Sequence, residues 1–256
     1  VLNSDEIFKL TAVPESLSII GGGVIGVEFA SIFAALGTKV TILEALPSIL
    51  ANMDKDFAQN LKMILKKRGV EVHTGVQVKE IKKEADKVSC IYLDKEQEEK
   101  ISSRYVLCAV GRVPATEGLF GEGVSLTMER GRVIVDEHFK TSMDGVYAIG
   151  DLIPGMQLAH LASAQGICLM EELGGSLCIL NRLAYTGPKT AAKNLKRYSP
   201  EIASVGITEA IAKDKGIEIE VGKFMMSANG KSLISKEERG FVKILADKET
   251  KKILGV

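Results

Sequence analysis

The stretch Leu17-Ser18-Ile19-Ile20-Gly21-Gly22-Gly23-Val24-Ile25-Gly26-Val27-Glu28 decides the fold. An apolar run with β-branched side chains, introduced by Pro14, ends in three consecutive glycines. That pattern predicts a buried strand over 17–20 stopped by a tight turn. From Val24 to Leu36 apolar residues recur at helical spacing, and Gly37 stands where a helix C-cap is expected. Residues 39–43 read as a second apolar strand. Strand, turn, helix and strand within about 30 residues form a βαβ unit, whose two strands are expected to be parallel.

The turn itself fits G-x-G-x-x-G, with Gly21, Gly23 and Gly26 at the fixed places. Each glycine has a physical task there. Gly21 makes the tight turn, Gly23 lets the backbone approach a pyrophosphate, and Gly26 lets helix and strand pack closely. The N-terminus of the helix then offers unpaired N–H groups and a positive dipole end to phosphates. Glu44 closes the second strand 18 residues after Gly26, where a carboxylate can accept hydrogen bonds from both ribose hydroxyls. Ala45 and Leu46 follow and are not basic, so a 2′-phosphate would face a carboxylate with no Arg to neutralise it. The expected ligand is therefore NAD(H) rather than NADP(H). A glycine-rich turn in an ordinary βαβ unit is the bland alternative, and Glu44 in register argues against it.

Working outward, Asp54 can cap a helix that places Phe57, Leu61, Ile64 and Leu65 on one face and ends at Gly69. Residues 70–73 would be a third strand. Residues 76–81, 87–93 and 100–103 alternate like a β-meander, and 105–110 is an apolar strand returning to the parallel sheet. The expected fold class is α/β, with a Rossmann-like dinucleotide-binding domain over 1–111. From 112 to 175 the pattern changes, with strands expected at 133–135 and 145–149 and a helix over 158–173. Residues 176–198 lose a clear period, and Lys189, Lys193, Lys196 and Arg197 there read as a solvated face because no aromatics interleave. The segment 176–256 is expected to be α+β, with a helix over 208–215 and strands over 217–225, 241–246 and 252–256. Its last strand lacks a closing element, which reads as truncation.

Composition narrows the function further. The 256 residues hold 33 basic and 33 acidic side chains, so no global field draws the chain to nucleic acid or an anionic membrane. No run of about 18 apolar residues escapes a charge, and residues 1–10 do not read as a secretory signal. A soluble, cytoplasmic protein is the expectation. Four cysteines and three histidines are scattered without metal-ligand spacing, so no metal site is expected.

Five segments in order carry a resemblance. They are Ile20 to Glu28, Val40-Thr41-Ile42-Leu43-Glu44, Ala109-Val110-Gly111-Arg112-Val113-Pro114, Val146-Tyr147-Ala148-Ile149-Gly150-Asp151, and Pro200-Glu201-Ile202-Ala203-Ser204-Val205-Gly206. With them the chain resembles the class I pyridine nucleotide-disulfide oxidoreductases, the dihydrolipoamide dehydrogenase branch above all. The resemblance implies an NAD-binding domain, the C-terminal part of an FAD-binding domain over 112–175 and the start of an interface domain over 176–256. It implies that Gly21, Gly22, Gly23, Val24, Ile25, Gly26, Val27 and Glu28, with Glu44, hold NAD, and that Val78 and Gly111 line the two ends of its site. Glu28 would lie near the nicotinamide. Asp151 would bond the ribityl chain of FAD, and Gln157, Leu158, Ala159 and His160 would follow the flavin at a helix start.

The same resemblance implies what this sequence does not carry. In the family, electrons pass from dihydrolipoamide to an enzyme disulfide and through FAD to NAD+. The 256 residues contain neither a C-x4-C pair nor the His-Glu acid-base pair, so no catalytic residue is expected among them. Such a chain alone would bind NAD(H), hold FAD weakly and not turn over dihydrolipoamide. The implied partners of the intact protein are a second copy and the lipoyl domain of a 2-oxo acid dehydrogenase or glycine cleavage complex. Another flavin disulfide reductase (NADH oxidase, mercuric or CoA-disulfide reductase) or a non-catalytic NAD-binding module are the alternatives. The Tyr198-Ser199-Pro200-Glu201 turn is one residue short of the family pattern.

Overall fold

The computed structural model describes residues 1–175, 193–194, 202–235 and 240–256. The expectations for 176–192 and 195–201 lie outside the described residues.

The glycine-rich turn connects β1 (Ser16–Ile20) to α1 (Val24–Ala35), and β2 (Lys39–Glu44) follows as the spacing predicts. Next come α2 (Lys55–Lys67), β3 (Glu71–Thr74), β4 (Gln77–Lys83), β5 (Val88–Asp94), β6 (Gln97–Ser103) and β7 (Tyr105–Cys108). Strands β3, β2, β1 and β7 form one sheet in that order, and every pairing within it is parallel. Strands β4, β5 and β6 form the antiparallel meander.

Both sheet faces are covered, which is why β1 and β2 read as continuous apolar runs. On one face Leu17, Ile19, Val40, Ile42 and Leu107 pack against Val27, Ala30 and Phe33 of α1 and Leu61 and Leu65 of α2. On the other, Leu43 and Val106 meet Val88, Cys90 and Tyr92 of the meander. The α2 face differs from expectation at Phe57 and at Ile64, which is only half-buried and joins no core cluster. Ala58, Leu61 and Leu65 are its buried residues, whereas Phe57 turns away and stacks on Phe241 with ring centroids 5.0 Å apart.

Residues 112–175 form a third apolar cluster around Phe139, Val133 and Cys168. The short strands β8 (Met128–Glu129) and β9 (Arg132–Val133) pair with each other, and α3 (Ala159–Leu173) follows. The strands expected over 133–135 and 145–149 do not form as read. An extended segment becomes a strand only where a neighbour takes its N–H and C=O groups. Here Val133 ends β9, and 145–149 finds a single bridge, between Lys140 and Tyr147.

The last described part holds β10 (Lys193–Asn194), β11 (Ala203–Ser204), α4 (Glu209–Asp214), β12 (Ile219–Met225), α5 (Gly230–Ser235), β13 (Phe241–Asp247) and β14 (Ile253–Gly255). Strands β12, β13 and β14 make an antiparallel sheet. Among the described residues, no helix is long and apolar enough to cross a membrane.

Candidate functional site

In a parallel sheet the loops at the carboxyl ends of the strands form a crevice where ligands bind. A cleft of about 800 Å³ opens there. Gly21, Gly23, Val24 and Ile25 line it from the first turn, Glu44 from the end of β2, Val78 from the meander and Gly111 from beyond β7. Gln157 and Leu158, just before α3, close its far side. The seven candidates expected to hold the dinucleotide thus share one cleft, and Gln157 and Leu158, which the resemblance assigns to the flavin, line it as well.

The three fingerprint glycines are required for different reasons. Gly21 has φ +106°, and a Cβ there would sit 2.4 Å from the carbonyl oxygen of Ala109. A Cβ on Gly26 would lie 2.0 Å from the carbonyl oxygen of Gly21. Gly21 is demanded by the close approach of the backbone after β7, and Gly26 by the packing of helix on the strand end. Gly23 is not: its φ of −72° suits any residue, and a Cβ would meet no atom within 4 Å. The bare backbone at Gly23 therefore faces open cleft, the arrangement a closely approaching phosphate needs. Behind it, Val27 N–H makes the first helical bond of α1, to the Gly23 carbonyl at 3.0 Å. The N–H groups of Val24, Ile25 and Gly26 thus open the helix with no carbonyl four residues back. The geometry fits a pyrophosphate on this turn.

Glu44 is almost fully buried and already committed on two sides. Its Oε2 accepts the N–H of Gly22, and its Oε1 accepts the N–H of Leu46 at 2.7 Å. An ionised carboxylate can accept about four hydrogen bonds, so capacity remains for sugar hydroxyls. The loop after β2 is laced to the same turn. Leu50, buried and at φ +48°, donates its N–H to the Gly22 carbonyl at 2.9 Å, and Met53 N–H returns to the Leu50 carbonyl at 2.8 Å.

The remaining candidates lie elsewhere. Gly22 sits under Glu44, while Val27 packs in the core and meets no ligand space. Glu28 is half-buried on α1 outside the cleft wall, and burial pushes its carboxyl above the ordinary 4.5. Asp151 lies in a short 3-10 turn (Gly150–Leu152) and accepts no hydrogen bond from the described residues. Gly150 beside it has φ +70°, and its Cβ would lie 2.9 Å from the Ala162 Cβ. That closeness gives Gly150 a packing role against α3 as well. Ala159 and His160 are exposed at the start of α3, outside the cleft. The sequence reading missed Asn52, Met53, Gln77, Arg112 and Met156 as cleft walls. Of these, only Arg112 stands in a segment the motifs single out.

One carboxylate cluster looks at first like a metal centre. Asp54, Asp56 and Glu209 bring their oxygens within 4.8 Å of one another. The cation shared by all three is Lys243: its Nζ lies 3.0 Å from Asp54 Oδ1 and 3.3 Å from Asp56 Oδ2, and it also pairs with Glu209, while Lys223 reaches Asp56 from outside at 3.0 Å. Burial alone would lower its pKa, but the hydrogen bonds to Glu209 and Asp54 prevail and push it up to about 12.

The fold and the cleft define an α/β protein with an open crevice at the carboxyl ends of a parallel sheet, and comparisons with known proteins give its family. Residues 1–166 match the pyridine nucleotide-disulphide oxidoreductase family, and residues 195–256 match the dimerisation domain of the same family. The chain belongs to that family of oxidoreductases. It is similar to dihydrolipoyl dehydrogenase of Bacillus subtilis, 39% identical over 259 residues that cover 100% of this chain and 53% of the relative. A dihydrolipoyl dehydrogenase of Geobacillus stearothermophilus is likewise 39% identical, again with 53% of its length covered. Among solved structures, an HOCl-induced flavoprotein disulfide reductase from Escherichia coli aligns with a TM-score of 0.87 at 31% identity, over 99% of this chain and 57% of that one. The chain thus spans about half the length of the curated relatives it matches.

Proposed function

We propose that these 256 residues are the nicotinamide-dinucleotide half of a flavoprotein disulfide reductase, and that the ligand of the cleft is NAD(H). The observation that supports this most is Gly23, whose bare backbone answers to nothing inside the protein. The pyrophosphate would lie over Gly23 and the first N–H groups of α1. The adenosine ribose would reach the remaining lone pairs of Glu44, Val78 would flank the adenine end and Gly111 the nicotinamide end. A ribose 2′-phosphate would be repelled by Glu44, which favours NAD(H) over NADP(H).

In the intact protein FAD would meet Asp151 and the segment 157–160, with domains divided near residues 111 and 175. Bound together, the two cofactors would supply hydride exchange between flavin and nicotinamide. The substrate class of the whole protein would be dihydrolipoamide, by similarity to the dihydrolipoyl dehydrogenases, with NAD+ as acceptor. It would work in the cytoplasm as a homodimer formed through the segment beyond residue 176, and lipoyl domains would deliver the dithiol.

Calorimetric titration of the chain with NADH and NADPH tests the cleft assignment. Saturable one-site binding of NADH, with NADPH at least tenfold weaker (about 1.4 kcal/mol), is expected. No NADH binding, or a preference for NADPH, overturns it. Lipoamide-dependent NADH formation by the chain alone would overturn the division of labour, because these residues hold no C-x4-C pair.

A further inference from the structure

Lys243 is a cation on a strand, 4% exposed, and set 189 residues from its main partner. On β13 it alternates with Phe241 and Leu245, so all three face the first α/β unit. Phe241 stacks on Phe57 of α2, and Lys243 grips both carboxylate oxygens of Asp54 at 3.0 and 3.1 Å. Asp54 is no ordinary surface acid. It is the N-cap of α2, where its side chain accepts the N–H of Asp56 at 3.0 Å. It also follows directly on Asn52 and Met53, two walls of the cleft. From Met53 the hydrogen bonds run on through Leu50 to the carbonyl of Gly22, inside the glycine turn.

We propose that Lys243 is a positioning residue for the dinucleotide cleft, setting the loop 45–53 and through it the glycine turn by holding Asp54. The inference rests on the dinucleotide reading above and extends it: the sheet of β12, β13 and β14 shapes a site to which it contributes no lining residue. The link is physical at each step. An ammonium fixes the capping carboxylate, the cap fixes the start of α2, and the start of α2 fixes the end of the loop. That end carries the backbone bond holding the Gly22 carbonyl. Without Lys243, Asp56 keeps Lys223 at 3.0 Å, but Asp54 and Glu209 lose the cation they share, and the cap has reason to move outward.

The test compares the parent chain with Lys243→Met, Lys243→Arg and Asp54→Asn, with the exposed Lys248→Ala as control. Asparagine keeps the helix cap but removes the charge that Lys243 grips, so Asp54→Asn serves if Lys243→Met fails to fold. NADH titration should show about tenfold weaker binding for Lys243→Met and a smaller loss in the same direction for Asp54→Asn. Arginine should restore affinity to within about threefold, because a cation returns to the same carboxylates. Amide exchange should rise at Leu50 and Met53 while the amides of β1 and β7 keep their protection, a pattern that general destabilisation would not give. Unchanged NADH affinity and unchanged exchange at Leu50 in folded variants overturn the inference and leave the dinucleotide reading standing. A parent chain that binds no NADH overturns both.

Discussion

Lys243 on β13 and Asp54 at the start of α2 form a buried, two-oxygen ion pair with contacts of 3.0 and 3.1 Å. Breaking such a pair from one side strands a charge away from water. Lys243→Met should therefore lower unfolding free energy by about 3–5 kcal/mol, read from urea denaturation of the chain. The pH dependence follows from the raised pKa. The folded value of about 12 lies above the ordinary 10.5, so the stabilisation is complete below about 10.5 and is lost as pH climbs through 12. Melting temperature measured between pH 9 and 12 should fall more steeply for the parent than for Lys243→Met.

The glycine turn allows a separation of folding from binding. Gly23→Ala places a methyl in open space, so stability should change by less than about 1 kcal/mol. NADH affinity should nevertheless drop at least tenfold. Gly26→Ala drives a methyl against the Gly21 carbonyl and should cost about 3 kcal/mol of stability, with binding lost as a consequence. Circular dichroism melts set beside NADH titrations distinguish the two, and equal effects on both quantities at Gly23 would refute the distinction.

Glu44 holds Gly22 and Leu46 by their N–H groups. Glu44→Gln leaves one carbonyl oxygen to do what two carboxylate oxygens do. About tenfold weaker NADH binding is expected, since a charge-assisted hydrogen bond contributes about 1.5–3 kcal/mol. NADPH should lose less, because repulsion of its 2′-phosphate disappears in the same step. The ratio of the two dissociation constants is the measurement.

Glu28 carries a carboxyl whose pKa burial raises above 4.5. A raised carboxyl means the fold favours the protonated form, so this group's contribution to stability weakens as pH rises from 4.5 through the folded value. Glu28→Gln should be more stable than the parent at pH 7 by up to about 1 kcal/mol, and the gap should close toward pH 4. A destabilised variant at pH 7 would show that the ionised carboxylate has a partner the burial argument omits.

The turn at 21–26 was legible because three glycines between an apolar strand and an apolar helix permit few structures. Glu44 was legible as a cleft residue at the end of β2, but its grip on Gly22 was not, since a loop's return path over a turn leaves no periodic trace. Phe57 matched the helical face of Leu61 and Leu65 in spacing, yet spacing cannot tell a core from a second packed unit. Lys243 did leave a trace: a cation alternating with Phe241 and Leu245 on one strand face asks for a buried anion. Residues 145–149 were apolar enough for a strand and failed for want of a neighbour, a fact that lies outside their own sequence.

Gly206 and Gly255 form an isolated antiparallel bridge that ties the segment after β11 to β14. A Cβ on either would collide with main chain across the bridge, at 2.2 Å from the Leu254 or the Ile207 oxygen. Val205 and Val256 exchange both backbone bonds beside them, at 2.9 and 2.8 Å. During synthesis the parallel sheet can close once β7 has left the ribosome. The clasp around Gly206 must wait until residues 254–256 emerge. The strand bearing Lys243 also emerges late, so a nascent chain would hold a formed glycine turn before Lys243 can reach Asp54.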